Sequence, residues 1–468
     1  MLKNLFLLLS AIVISYTSGA SNKIKFYFNH PVDNTVSTGV NAIYLNSCMA
    51  DTLVAYINRA KYTIDIAQYD YTTGGSFANI AAAVNSAYSR GVQVRWIYDG
   101  SSTNSGLSGV TSAINKLGSP TTSSYGIMHN KFVIIDANSS DPDDAIVWTG
   151  SSDWSEEQFN TDYNNIVIVQ DSALAHAYTG EFNMMWGGTG LSPNLSLSKF
   201  GPKKTDLGRH NFTIEGNPVE LYFSPSDGTN TQIQNAISTA NTDLYFAMYT
   251  FTDNSDATMI TSKYSAGVYV AGIDDSYSNS YSPYTTFTSA LGSHFIVYSG
   301  TGIYHNKFMI VDPSDACSDP LVLTGSHNWS TSANTQNDEN TLIIHNDTAA
   351  NIYYQSFRAN FTSLGGSLAT VKGCTLRVPL NNKTEDNISV YPNPSNGDVT
   401  ISYQLLYPQR VSVGIYNVVG QKIALLMNDE LQQTGKQELH YTLNNAGLYF
   451  VQFATGDEHF TRKLVITQ

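Results

Sequence analysis

Two octapeptides carry side chains at a spacing that can do chemistry. One reads His129-Asn130-Lys131-Phe132-Val133-Ile134-Ile135-Asp136, the other His305-Asn306-Lys307-Phe308-Met309-Ile310-Val311-Asp312. Each is His-x-Lys-x4-Asp. Each is followed by a Gly-Ser step, Gly150-Ser151-Ser152-Asp153-Trp154 and Gly325-Ser326-His327-Asn328-Trp329. Imidazole titrates near neutral pH, so it serves as nucleophile, acid or base. Lysine adds positive charge. A phosphodiester is a poor electrophile wrapped in negative charge. Its cleavage needs a nucleophile, cations for the equatorial oxygens and an acid for the leaving alkoxide. Two histidines and two lysines supply all three with no metal ion or cofactor. Presented twice, they suggest one active site built from two half-sites. Asn130, Ser151, Asn306, Ser326 and Asn328 are candidate further donors to phosphate.

These side chains sit on elements that repeat. Tyr62 to Thr72 (YTIDIAQYDYT) lines up with Thr242 to Thr252 (TDLYFAMYTFT), and Phe26-Tyr27-Phe28 with Leu221-Tyr222-Phe223. Self-similarity on this scale is a duplicated domain. Strands are predicted at 62–69, 92–98, 131–135, 145–148 and 166–169 in the first half. In the second they are predicted at 244–249, 268–273, 307–311, 321–323 and 341–344. Phe77, Ile80, Ala81, Val84 and Tyr88 mark one helix face, closed by Gly91; Ser172 to Trp186 is a second helix. Strands alternating with helices imply layered α/β units. Side chains alternate along a strand, so His129, Lys131, Val133 and Ile135 share a face and Asp136 points away. Asp136 and Asp312 are therefore read as structural.

The pattern His-x-Lys-x4-Asp followed by Gly-Ser-x-Asn resembles the phospholipase D superfamily, over roughly residues 24 to 370. The resemblance implies two pseudo-twofold related α/β/α halves with one site at their seam. It implies His129 as nucleophile through a covalent phosphohistidine, His305 as general acid and base, and Lys131 and Lys307 on the phosphate. A nucleophilic imidazole also needs an acceptor on its other nitrogen. The family carries an acidic residue near Glu339; its first-half equivalent is Asn164, which departs from the pattern. Asp153, where the second copy has Asn328, is another departure. Asp162 is an alternative acceptor.

The expected organisation is a signal peptide at 1–20, half 1 at 21–190, a linker at 191–217, half 2 at 218–380 and a β-sandwich at 387–468. The leader has Lys3, an apolar run from Leu5 to Ile14 and Ser18-Gly19-Ala20 before the cut. In the sandwich segment Val411, Val413 and Ile415 alternate with Ser412 and Gly414, and Pro392, Pro394 and Asn396-Gly397 supply turns. The strings Val390-Tyr391-Pro392-Asn393-Pro394 and Ile415-Tyr416-Asn417-Val418-Val419-Gly420 resemble the type A C-terminal sorting domain of the type IX secretion system. That resemblance implies an Ig-like sandwich handled by the secretion machinery, and a secreted or cell-surface protein. Three cysteines allow a Cys317–Cys374 disulfide in an exported chain, or buried free thiols.

Net charge of -14 argues against a broad nucleic-acid surface, and no other run reaches transmembrane length, so no stable membrane span is expected. The superfamily includes phospholipases, nucleases and phosphatidyl-transferring synthases. An acidic exported member fits phospholipid hydrolysis best, and a monomer is expected. The alternative is a non-specific endonuclease with a basic groove around Lys61, Arg90, Arg95 or Lys116. A third reading is an inactive binding module, marked by Asp153 and Asn164.

Overall fold

The computed structural model describes residues 23–74, 78–122, 125–371, 388–405, 409–433, 435–455 and 458–467. The leader at 1–20, Phe77 and Cys374 lie outside the described residues. The chain forms two compact units, 1–375 and 376–468.

The first unit holds two eight-stranded mixed sheets, one per repeat. In the first, Lys131–Ile135 lies between Thr63–Gln68 and Ile146–Gly150, antiparallel to both. In the second, Lys307–Val311 lies in the same way between Asp243–Met248 and Leu321–Gly325. Each motif strand is buried on both faces, and alternation sends its side chains to different cores. Val133 and Ile135 pack with the helices Met49–Arg59 and Ala78–Ser89; Phe132 and Ile134 join a central cluster. Met309 and Val311 pack with Thr229–Thr239, Asn254–Ser265 and Ser282–Leu291, while Phe308 and Ile310 face the same central cluster.

That central cluster joins the halves. The helices Ser172–Trp186 and Asp347–Ser363 contribute to it from both repeats. Tyr178 meets Phe132 of one half and Phe223 of the other edge-on, at 5.0 and 5.2 Å. Tyr353 repeats this with Phe28 and Phe308, at 5.2 and 5.0 Å. Aromatic pairs in this geometry each add about 1 kcal/mol beyond their burial. Thr149 and Asn340 exchange side-chain hydrogen bonds across the seam, as do Thr324 and Asn165.

The segment expected as a linker is partly structural. Asn211–Ile214 is the edge strand of the second sheet, turned by Glu215-Gly216 (φ 51° and 79°) into Asn217–Ser224. Proline and glycine density suggested a linker, but two residues with positive φ between paired strands form a hairpin turn. Among the described residues no helix is long and apolar enough to cross a membrane. Cys317 is disulfide-bonded and Cys48 is an exposed free thiol.

The second unit has a three-stranded sheet, Ile388–Tyr391, Asp398–Leu405 and Gly435–Thr442, and a four-stranded one, Lys422–Gln432, Gln409–Asn417, Gly447–Thr455 and Glu458–Ile466. Ile401, Tyr403 and Leu405 from one meet Val413, Ile415 and Phe453 from the other in a single core, as alternation in a sandwich requires.

Candidate active site

His129 and His305 stand just before the two motif strands, 5% and 4% exposed. Backbone pairing across the seam holds their segments. His129 N–H donates to Asp338 O at 2.9 Å, and Asp338 N–H returns a bond to Ile127 O. The second half repeats this with Tyr163 N–H on Ile303 O at 2.9 Å. Asp99 and Asp275, each at the end of a parallel strand, accept Met128 N–H and Tyr304 N–H at 2.8 and 2.7 Å.

The side-chain partners are exchanged between halves. Nδ1 of His129 lies 2.7 Å from Oε2 of Glu339, and Nδ1 of His305 lies 3.1 Å from Oδ1 of Asn164. Asn164 is oriented by its amide nitrogen, which donates to Gln158 O at 2.8 Å, so its oxygen faces the imidazole. With Nδ1 so engaged, Nε2 is the nitrogen that each imidazole has for the gap between them. A ring nitrogen from each histidine and a carboxylate oxygen of Asp153 all lie within 4.8 Å of one another. That span fits one tetrahedral phosphate or one metal ion.

Lys131 and Lys307 flank the gap. Each ammonium donates to the carbonyl of its own motif histidine, at 3.1 and 2.8 Å. Each also sits over a tyrosine ring, Tyr69 at 4.9 Å and Tyr249 at 5.3 Å. The same rings lie 5.0 Å from His129 and His305. Tyr69 and Tyr249 occupy matching positions of the aligned repeats, a signal that sequence reasoning passed over. The two ammoniums make the gap a place for an anion more than for a cation. A second group of potential metal ligands, Asp206, His210 and Asp227, lies apart from the motifs and is partly exposed.

Burial sets the ionisation. It pushes His129 and His305 well below the usual imidazole range, aided by Lys131 and Lys307 respectively. It pushes Lys307 well down too, with Lys131 adding repulsion. It raises Glu339 to about 7. Burial thus disfavours charge on each of these groups, and an anion in the gap favours the charged form of the histidines and lysines.

Four expected phosphate donors are turned elsewhere. The hydroxyl of Ser326 donates to Glu339 Oε2 at 2.8 Å, and that of Ser151 to Asn164 Oδ1 at 2.7 Å. Both serines therefore orient the residues that face the histidines. Glycine before each is required because a Cβ at Gly150 or Gly325 would meet a carbonyl oxygen at 2.2 Å. Asn130 lies on the opposite strand face, its amide 4.0 Å from Met185 Sδ, and Asn306 bonds buried Tyr304. Asn328 keeps a buried side-chain oxygen with no described partner.

Asp136 and Asp312 are also outside the gap. Both have positive φ, 52° and 49°. Asp136 accepts from the backbone amides of Lys61, Tyr62 and Thr63 at 2.7 to 2.8 Å. Asp312 does the same for Asn241, Thr242 and Asp243. Asp162 accepts from Ile303 N–H and Gln158, and so does not face His305.

Residues 53–186 and 233–361 each match the family described as "Cardiolipin synthase, PLD-like domain", together more than half of the chain. This chain belongs to the phospholipase D-like family. Residues 389–467 match the family described as "Secretion system C-terminal sorting domain". The mitochondrial cardiolipin hydrolase of Xenopus tropicalis is 30% identical over 139 residues, and that of Drosophila melanogaster 32% over 149. Each alignment covers 29% of this chain, and 59% and 57% of those proteins' own length. A solved phosphatidylserine synthase of Haemophilus influenzae Rd KW20 superposes with a TM-score of 0.51 at 14% identity, over 75% of this chain and 88% of that one. That likeness is one of fold.

The two half-sites of this phospholipase D-like chain are unequal. A carboxyl group faces His129 and an amide faces His305. Asp153 lies 3.1 Å from the Lys131 ammonium and 3.9 Å from Nε2 of His305. Among the described residues no carboxylate pairs with Lys307.

Behind the gap lies a buried network absent from the sequence expectations. Lys204 pairs with Glu181 and, at 2.9 Å, with Asp338, which also accepts from the Tyr125 hydroxyl. It anchors the residue beside Glu339.

Proposed function

We propose that this chain is an exported phosphodiesterase that hydrolyses phospholipid head-group phosphodiesters through a covalent phosphohistidine. The observation that carries this reading is the exchanged pairing, which leaves two imidazole Nε2 atoms facing one gap between two lysines. Nε2 of His129 attacks phosphorus while His305 gives a proton to the leaving alkoxide. His305 then takes a proton from water, which attacks phosphorus and releases His129. The products are a phosphomonoester on the lipid and a free head-group alcohol. Lys131 and Lys307 neutralise the equatorial oxygens.

The roles follow charge. The attacking ring becomes cationic, and Glu339 on its Nδ1 stabilises that cation. Asn164 offers His305 no such help, which suits an imidazole that must give its proton away. Asp136 and Asp312 hold the strand ends. Export rests on the sorting-domain match and the leader pattern, which point to type IX secretion and a cell-surface or external location.

Phospholipid is favoured over nucleic acid because the cations a groove would use are engaged. Lys61 pairs with Asp144, Arg95 with Asp65, and Arg90 and Lys116 bond backbone carbonyls. By contrast, Tyr277, 54% exposed, stacks on Tyr249 at 5.3 Å, with Tyr281 next to it. Amphipathic rings leading from His305 to solvent suit a lipid interface.

The test is to incubate the full chain in excess EDTA with phosphatidylcholine vesicles and, in parallel, with plasmid DNA. Choline release lost in both His129→Ala and His305→Ala is the expected result. Nicked plasmid with intact lipid moves the substrate to nucleic acid. Inactivity on both overturns the reading.

A further inference from the structure

Asp153 brings a carboxylate into the gap itself, 7% exposed, with Gln68 Nε2 donating to it at 3.3 Å. The matching position in the other half is Asn328, of the same shape and neutral. We propose that Asp153 is a specificity residue, which makes the gap accept a singly charged phosphodiester and reject a doubly charged phosphomonoester. This rests on the phosphodiesterase reading and adds what that site turns away.

The argument is a charge balance. With Lys131 and Lys307 as ammoniums, His305 protonated as the proposed acid, and the Glu339 carboxylate anionic behind His129, the gap carries two positive charges net. Asp153, 3.1 Å from Lys131, cancels one. A bound diester cancels the other. A monoester above its second pKa, near about 6, brings one negative charge more than the gap can match. An uncompensated charge in a buried site is costly. The product left on the lipid after hydrolysis is such a monoester, so Asp153 weakens the hold on the product while the substrate still binds. Asparagine there would hold both, and the dianion harder.

Repulsion is linear in ligand charge. Removing the carboxylate charge therefore multiplies affinity by some factor for a monoanion and by about its square for a dianion. The probes are dimethyl phosphate, a monoanion, and methyl phosphate, a dianion at about pH 8. Affinities are measured by calorimetry on the full chain and on Asp153→Asn, without turnover. Wild type is expected to prefer dimethyl phosphate. In Asp153→Asn the gain is about 10-fold for dimethyl phosphate and about 100-fold for methyl phosphate, reversing the preference. Equal gains, or none, overturn the proposal and make Asp153 a structural partner of Lys131. Failure of both probes on both proteins overturns the phosphate-binding reading as well, which separates the two failures. If Asp153→Asn does not melt like wild type, Asp153→Ser gives the same comparison.

Discussion

Glu339→Gln isolates the charge behind the proposed nucleophile. The carboxylate lies 2.7 Å from Nδ1 of His129 and is fully buried. With charge centres roughly 4 Å apart and an effective dielectric of about 20, it stabilises the cationic ring by about 4 kcal/mol. Glutamine restores about 1 kcal/mol as a neutral hydrogen bond. It does so imperfectly, because Ser326 and Asn337 also donate to the carboxylate, at 2.8 and 3.4 Å, and the new amide has to face one of these donors. The remaining loss, about 3 kcal/mol, lowers kcat about 150-fold. Initial rates on bis(p-nitrophenyl) phosphate measure it, with acid-quench trapping of phosphoenzyme to locate the step. Glu339 ionises at about 7 and its anion is the active form, so the wild-type rate rises with pH through that value and the rise disappears in the variant. Asn164→Ala removes only a neutral bond from His305, and costs about 10-fold. A folded Glu339→Gln within threefold of wild type refutes the reasoning. A larger loss in Asn164→Ala than in Glu339→Gln reverses the roles of the histidines.

Three further outcomes bear on the scaffold. Asp136→Ala strands three backbone amides and lowers stability by about 4 kcal/mol in urea titration, while kcat per folded molecule stays near wild type. Lys204→Met leaves Glu181 and Asp338 without their buried cation and costs about 3–5 kcal/mol by the same measurement. Burial pushes the Asp256 carboxyl up to about 7, so the folded state loses stability as pH rises from the unfolded value, near 4, through 7. Asp256→Asn removes that penalty. It raises stability at pH 8 by about 2 kcal/mol, half the full linkage because the amide must also be desolvated, and changes little near pH 4, as thermal melts at the two values will report.

Alternation along the motif strands was legible, and it turned Asp136 away from His129. The same rule applied one residue earlier turns Asn130 and Asn306 away too, a step that sequence reading omitted. Ser151 and Ser326 read as donors to phosphate, but their targets, Asn164 and Glu339, follow from strand pairing at Gly150 and Gly325. The linker reading failed at Glu215-Gly216 because a tight hairpin and a linker share the same residue types.

By itself the sequence determined the duplication, the α/β halves, the sandwich and the two His-Lys pairs, since these depend on local periodicity and short spacing. Tertiary structure decided that Glu339 serves His129, 210 positions away, and that Asn164 serves His305. It also decided that Lys204 lies behind Asp338 and that Asp153 enters the gap. Those pairings arise where two sheets meet through the helices Ser172–Trp186 and Asp347–Ser363, and strand periodicity carries no information about which side chains face each other across such a seam.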